Sequence, residues 1–169
     1  ANRVTAAYDN DGRLTTLTHS SGAWISLGYN PEGFVSQVSD SAGRTLSYRY
    51  AGDYLESTTT DDNKMTSYEY ETAGPAAQRH AIRSVTRGGA TRQIRYDVRG
   101  RVASTFRADG EQPVQFSYDE VGGVALIDPL GTTLLQFDTQ GLLARTADAL
   151  GRVTSAKFNE DLRISRLVY

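Results

Sequence analysis

The side chains able to do chemistry in this sequence are few and scattered. His19 and His80 are the only histidines and cysteine is absent, which excludes thiol catalysis, thiolate metal sites and disulfides. Each histidine falls in a predicted turn or loop with no second histidine, cysteine or glutamate pair at ligand spacing. A zinc site or a hydrolytic triad needs three convergent groups. Asp9-Asn10-Asp11-Gly12 resembles the start of a calcium loop, but Ser20 stands where an EF-hand places its bidentate Glu. Asp61-Asp62-Asn63 reads as a turn, because short polar side chains at such positions cap their own backbone. Gly88-Gly89 is followed by neither Lys nor a helical pattern, so it is not a phosphate loop. No catalytic, cofactor-binding or metal-binding residue is assigned, and the chain reads as a non-enzyme. What remains is ten Tyr and five Phe among Asp, Asn and Arg. Such a set either packs the face of a sheet or stacks on sugars.

The elements that carry these rings follow from composition. Only 38% of the 169 residues are hydrophobic and the mean hydropathy is −0.46, too polar for one thick core, yet the aromatic content is not that of disorder. Among the 18 basic residues only Lys64 and Lys157 are lysine. Thr, Tyr, Val and Ile favour strands, and the scarcity of Lys and Glu removes the usual helix surface. A net charge of −2 and a pI near 5.7 point away from nucleic acid, whose binders carry a basic excess. No apolar run approaches the roughly 18 residues of a spanning helix, so membrane insertion is not expected. Ala1-Asn2-Arg3-Val4 opens on repeat-like sequence with no signal peptide, and a chain that begins mid-pattern is expected to be cut from a longer one.

The pattern is a repeat. Units open at Tyr8, Tyr29, Tyr50, Tyr70, Tyr96, Tyr118, Phe137 and Phe158, at steps of 21, 21, 20, 26, 22, 19 and 21 residues. Four are close copies: Tyr8-Asp9-Asn10-Asp11-Gly12-Arg13, Tyr96-Asp97-Val98-Arg99-Gly100-Arg101, Tyr118-Asp119-Glu120-Val121-Gly122-Gly123 and Phe137-Asp138-Thr139-Gln140-Gly141-Leu142. A second glycine follows the first after about ten residues, as in Gly12/Gly22, Gly33/Gly43, Gly100/Gly110, Gly122/Gly131 and Gly141/Gly151, the spacing of a strand plus a turn. These turns need positive φ, which glycine adopts without steric cost. Between turns apolar residues alternate, as in Ile25, Leu27, Tyr29 and in Val114, Phe116, Tyr118, placing them on one strand face. Gly52-Asp53 suits a two-residue hairpin turn with glycine first.

The expectation is an all-β fold: a single array over residues 1–169, about sixteen short strands in a curved antiparallel meander, with no linker or second domain. A compact β-sandwich of the same strands is the alternative. The unit opening at Tyr70 carries an insertion, Gly74-Pro75-Ala76-Ala77-Gln78-Arg79-His80, read as a tolerated surface loop or a recognition loop. Arg13, Arg44, Arg101 and Arg152 follow turn glycines and are expected to pair with an Asp of the neighbouring unit.

These residues carry a resemblance. Tyr-Asp-x-x-Gly-Arg followed by a Thr-rich strand and another Tyr resembles the YD repeat of the Rhs family, found also in insecticidal toxin complexes, wall-associated bacterial toxins and animal teneurins. Asp128-Pro129-Leu130-Gly131 and Ala149-Leu150-Gly151-Arg152-Val153-Thr154 resemble that family's signature at the second turn. The resemblance covers essentially the whole chain. It implies a segment of a spiral β-shell around a toxin or other cargo, a secreted or surface setting, and in some relatives carbohydrate binding. Two functions stay open: a scaffold that encloses or displays another domain of the parent chain, and a module binding a glycan or partner protein. Rings packed in the sheet favour the first, and rings exposed together favour the second. Edge strands near Val4–Tyr8 and Ile164–Tyr169 are expected to promote self-association.

Overall fold

The computed structural model describes residues 2–169. It contains sixteen strands and one 3₁₀ turn, Ala76–Gln78. The strands are β1 (Val4–Tyr8), β2 (Leu14–His19), β3 (Trp24–Tyr29), β4 (Val35–Asp40), β5 (Thr45–Ala51), β6 (Tyr54–Thr60), β7 (Met65–Tyr70) and β8 (Ile82–Arg87). They continue as β9 (Ala90–Tyr96), β10 (Val102–Arg107), β11 (Val114–Tyr118), β12 (Val124–Asp128), β13 (Gly131–Phe137), β14 (Leu143–Ala147), β15 (Val153–Phe158) and β16 (Ile164–Val168). They join in chain order in a single open sheet, and every register determined is antiparallel. The meander is therefore the observed fold and the β-sandwich is not, since one sheet stands where a sandwich needs two. The chain divides into two compact units. One holds the residues up to Tyr70 together with Ser84–Thr91, and the other Glu71–Arg83 together with Arg92–Tyr169.

Among the described residues no hydrophobic side chain is fully buried, and the buried polar ones are Ser57 and Ser84. Alternation still holds: in β11, Val114, Phe116 and Tyr118 are half-buried while Gln115 and Ser117 are exposed. It weakens in β3, where Ile25 is exposed although its period predicts cover. With both faces near solvent, stability rests on backbone ladders and on partial burial along each face.

Most hairpin turns repeat one backbone pattern. In the first, Asp9 N–H donates to Arg13 O and Gly12 N–H to Asp9 O. The residue in the Gly12 position is left-handed, at φ 78° there, 79° at Gly100 and 80° at Gly141. Asn63 and Leu162 take the same conformation at 58° and 60°, so the turn persists where glycine is missing, at a steric cost for Leu162. Asp61-Asp62-Asn63 is thus a turn, closed by a Lys64–Asp62 ion pair at 2.6 Å. Gly52 at φ 60° closes the two-residue turn between Ala51 and Tyr54. Gly88 and Gly89, at 56° and 79°, form the doubly positive turn of the β8–β9 hairpin.

The insertion is a docked element. Gln78 Nε2 donates to the carbonyls of Asp97 at 2.9 Å and Tyr96 at 3.4 Å, so the 3₁₀ turn lies over the Asp97–Arg101 turn. A methyl group on Gly100 would run into the Ala77 carbonyl, whereas one on Gly12 would meet nothing. Gly12→Ala should therefore cost about 1–2 kcal/mol, the left-handed penalty alone. Gly100→Ala should cost clearly more, because it also expels the 3₁₀ turn; paired urea titrations of the two variants measure the difference.

Candidate functional site

The recurring side chains assemble into one device, built around a bulge. In the β1–β2 pair Ala7 faces Thr16 and Tyr8 faces Leu14, so Thr15 is extra. The same shift immediately precedes Tyr29, Tyr50, Phe137 and Phe158 and occurs at the Tyr96 end of β9–β10. A bulge raises local twist and interrupts pairing. The next ladder is accordingly short: β2–β3 pairs only Thr16–Thr18 with Trp24–Ser26, leaving Leu14 beyond it. The same three-pair ladder forms in β4–β5 and β6–β7, and a two-pair one in β10–β11.

At each of these open hairpin mouths the unit-opening tyrosine supplies the missing donor. Tyr29 Oη donates to Leu14 O at 2.7 Å, Tyr50 to Val35 O at 2.9 Å, Tyr70 to Leu55 O at 3.0 Å and Tyr118 to Val102 O at 2.8 Å. Tyr96 does the same for Ile82 O at 2.7 Å across β8–β9. Each ring is half-buried. Burial raises the phenol pKa of Tyr70, with neighbouring tyrosines adding to it, and that of Tyr96, with the charge of Glu71 adding to it.

In four units the residue just after the first turn covers the next ring. Arg13 lies 4.9 Å from the Tyr29 ring centre and Arg101 4.2 Å from that of Tyr118. Phe34 stacks on Tyr50 at 4.9 Å, and the Tyr54 ring lies 4.8 Å from that of Tyr70, tilted by 43°. Sequence reasoning missed this; its signal is a planar or cationic side chain four or five residues after the opening aromatic. In the unit opening at Tyr118 the position is Gly123, and the Asp119 carboxylate occupies the space a Cβ would take there.

The aspartates cap their turns. Asp9 Oδ1 accepts from the N–H groups of Asp11 and Arg13, and Oδ2 from Arg13 Nε at 2.8 Å. The arrangement recurs at Asp40–Arg44, Asp97–Arg101 and Asp148–Arg152, while Asp119 and Asp138 accept backbone N–H groups alone. This corrects the expected pairing between units. The arginine binds the Asp of its own turn, which is four residues away and already oriented, and what reaches the next unit is the guanidinium face over the tyrosine. The Arg13 N–H and then its guanidinium hold Asp9 below the usual carboxylate range. The Arg44 guanidinium does so for Asp40 and the Arg152 N–H leads for Asp148. At Asp97 burial pulls upward, but the Arg101 N–H and guanidinium outweigh it. The Lys64 ammonium and then the Thr60 hydroxyl bring Asp62 to about 2.

His19 serves its own turn: Nδ1 lies 2.8 Å from Ser21 Oγ and accepts from the Ser21 N–H at 3.1 Å. His80 is left-handed at φ 69° in the insertion, its N–H donating to Glu71 O at 2.8 Å. Among the described residues no three His, Asp or Glu side chains converge as a metal site, and no helix is long and apolar enough to cross a membrane. Among the described residues the exposed rings are Tyr8, Trp24, Phe137 and Tyr169. Trp24 lines a groove of about 370 Å³ in the N-terminal unit with His19, Asp40, Ser41 and Arg44.

No described protein family matches the sequence, and no curated protein does. Solved structures match. The crystal structure of TcdB2-TccC3-Cdc42 aligns with 99% of this chain at a TM-score of 0.55 and 13% identity, using 12% of its own chain. That of TcdB2-TccC3 aligns with 96% at 0.50 and 13% identity, using 13% of its chain. TcdB2-TccC3 without the hypervariable C-terminal region aligns with 97% at 0.50 and 14% identity, using 10% of its chain. Likeness at this level of identity shows a shared fold alone, and this chain spans a small fraction of the chain in each of those structures.

Two outcomes follow from the device. Tyr96→Phe should lower stability by about 0.5–1.5 kcal/mol, one hydrogen bond. Tyr96→Ala should cost about 2 kcal/mol in all, since a half-buried ring forfeits only part of the burial energy; urea unfolding measures both. The pH profile has two flanks. The depressed carboxylates stabilise the fold above their unfolded pKa near 4, and that contribution disappears as pH falls through their native values. The raised phenols are fully stabilising below about pH 10 and lose that contribution above it. Urea midpoints should therefore be flat between about pH 5 and 9 and fall on both sides. Asp97→Asn should flatten part of the acid flank.

Proposed function

We propose that this chain is a non-enzymatic structural module, a single array of eight YD-type units forming part of a β-shell that encloses or displays a toxin or effector domain of a larger secreted or surface protein. The observation that carries the reading is the consumption of the repeated rings by the sheet itself. Tyr29, Tyr50, Tyr70, Tyr96 and Tyr118 each spend the hydroxyl on a backbone carbonyl. Four of those rings are covered by a guanidinium or a second ring. Side chains used in this way hold strands together and leave little aromatic face for a ligand. The fold shared with part of TcdB2-TccC3 supports a place inside a larger assembly. The test is limited proteolysis of the larger protein carrying this segment. The enclosed domain should resist protease, and should become cleavable when Tyr50, Tyr70 and Tyr96 are changed together to Phe. Equal cleavage of that domain in both forms would overturn the reading.

The second reading, a glycan- or protein-binding module, is favoured by the Trp24 groove, where an exposed indole stands beside the Asp40–Arg44 pair and Ser41. Trp24 is the single tryptophan, so its emission reports the groove alone. A saturable shift on adding oligosaccharides, abolished in Trp24→Ala, would favour this reading, and a flat titration would favour the scaffold.

Self-association belongs to the first reading. β1 and β16 are exposed along their whole length and each pairs on one side only, and an unpaired edge templates another strand. The isolated chain should form dimers or larger species at high concentration in sedimentation experiments; a strict monomer at every concentration would remove this element.

A further inference from the structure

We infer that the seam between β14 and β15 is an opening point built into the sheet, at which the β15–β16 hairpin parts while the strands before it stay paired. Hairpins closed by a second turn fall into two kinds. Where the preceding pair carries a bulge, the ladder is short and a tyrosine hydroxyl closes the mouth, as Tyr118 does for a β10–β11 ladder of two pairs. Where there is no bulge, the ladder runs the full length. β11–β12 keeps its register to Tyr118 and Val124, β12–β13 then pairs all the way from Val124–Leu135 to Asp128–Gly131, and Phe137 needs no hydroxyl.

β14–β15 belongs to neither kind. The bulge before Phe137 is present, and the ladder shrinks to Arg145–Ala147 against Val153–Ser155. Leu143 lies beyond it, in the place of Leu14, Val35 and Val102, but the residue facing this mouth is Phe158, which has no hydroxyl to donate. Leu142 replaces the covering arginine or ring. The seam therefore has the short ladder without the compensating bond. Neighbouring seams in the same compact unit have one or the other. A short ladder without the tyrosine bond opens more readily than one that has it, so the hairpin behaves as a separate, less stable element of the sheet.

Hydrogen exchange on the intact chain tests this, and paired variants separate the seam from ordinary end fraying. Phe158→Tyr should bring a hydroxyl to Leu143 O and slow exchange at 145–147 and 153–155 by roughly two- to tenfold, the worth of one hydrogen bond. Tyr29→Phe should make the β2–β3 seam like β14–β15 and speed exchange at 16–18 and 24–26 by a similar factor. If Phe158→Tyr leaves exchange unchanged, or if 145–147 are already as protected as 104–105 in the unaltered chain, the inference fails.

Discussion

The constraint on which the rest of the structure depends is that a bulged sheet with no buried apolar core must still satisfy its backbone. Each bulge ends a ladder early and leaves a carbonyl at the hairpin mouth. In a thick domain, burial elsewhere could offset such a loss. Here no hydrophobic side chain among the described residues is fully buried, so the local bond carries more of the burden. The tyrosine hydroxyl meets it, and the ring that carries the hydroxyl is held by the residue leaving the preceding turn. Bulge, latch and cover consequently occur together at Tyr29, Tyr50 and Tyr118. Where the bulge is missing, in β11–β12, the latch and the cover are missing too.

The turn chemistry serves the same end. A carboxylate that accepts two backbone N–H groups fixes the turn, and its second oxygen orients the arginine whose flat face then lies over the next ring. Asn30 and Asn159 keep the backbone part of this role through Phe34 and Arg163, and the residue after the turn can then be a ring instead of a cation. The tolerance for Asp or Asn, and for Arg, Phe or Tyr, thus reflects two separable jobs performed by adjacent positions.

Much of this was legible in the sequence because the repeat is local. Period-two alternation and glycine spacing place turns and strands without any long-range information, and every second strand ends at a unit-opening aromatic or, in β5, one residue past it. The latch was not legible, since it depends on register: whether Tyr29 reaches Leu14 O is settled by the extra residue Ser36 on the neighbouring strand pair and Thr15 on its own. The arginines were misassigned for a similar reason. Sequence distance favours the Asp four residues away, but the repeat drew attention to the next unit, where the ring and not the carboxylate receives the guanidinium. The insertion was read as a surface loop, and all of it but Gln78 is exposed; its docking through Gln78 and the approach of Ala77 to Gly100 was not legible, because it depends on a contact with a turn some twenty residues on.

Every latch joins residues 14 to 16 positions apart, and every ladder joins consecutive strands. Contact order is therefore low for an all-β chain, a class usually slowed by distant pairings. No strand has to wait for a partner made much later. As the polypeptide leaves the ribosome, each hairpin can close and be locked by the next aromatic to emerge, and assembly can run in the direction of synthesis with only one growing edge unprotected at a time.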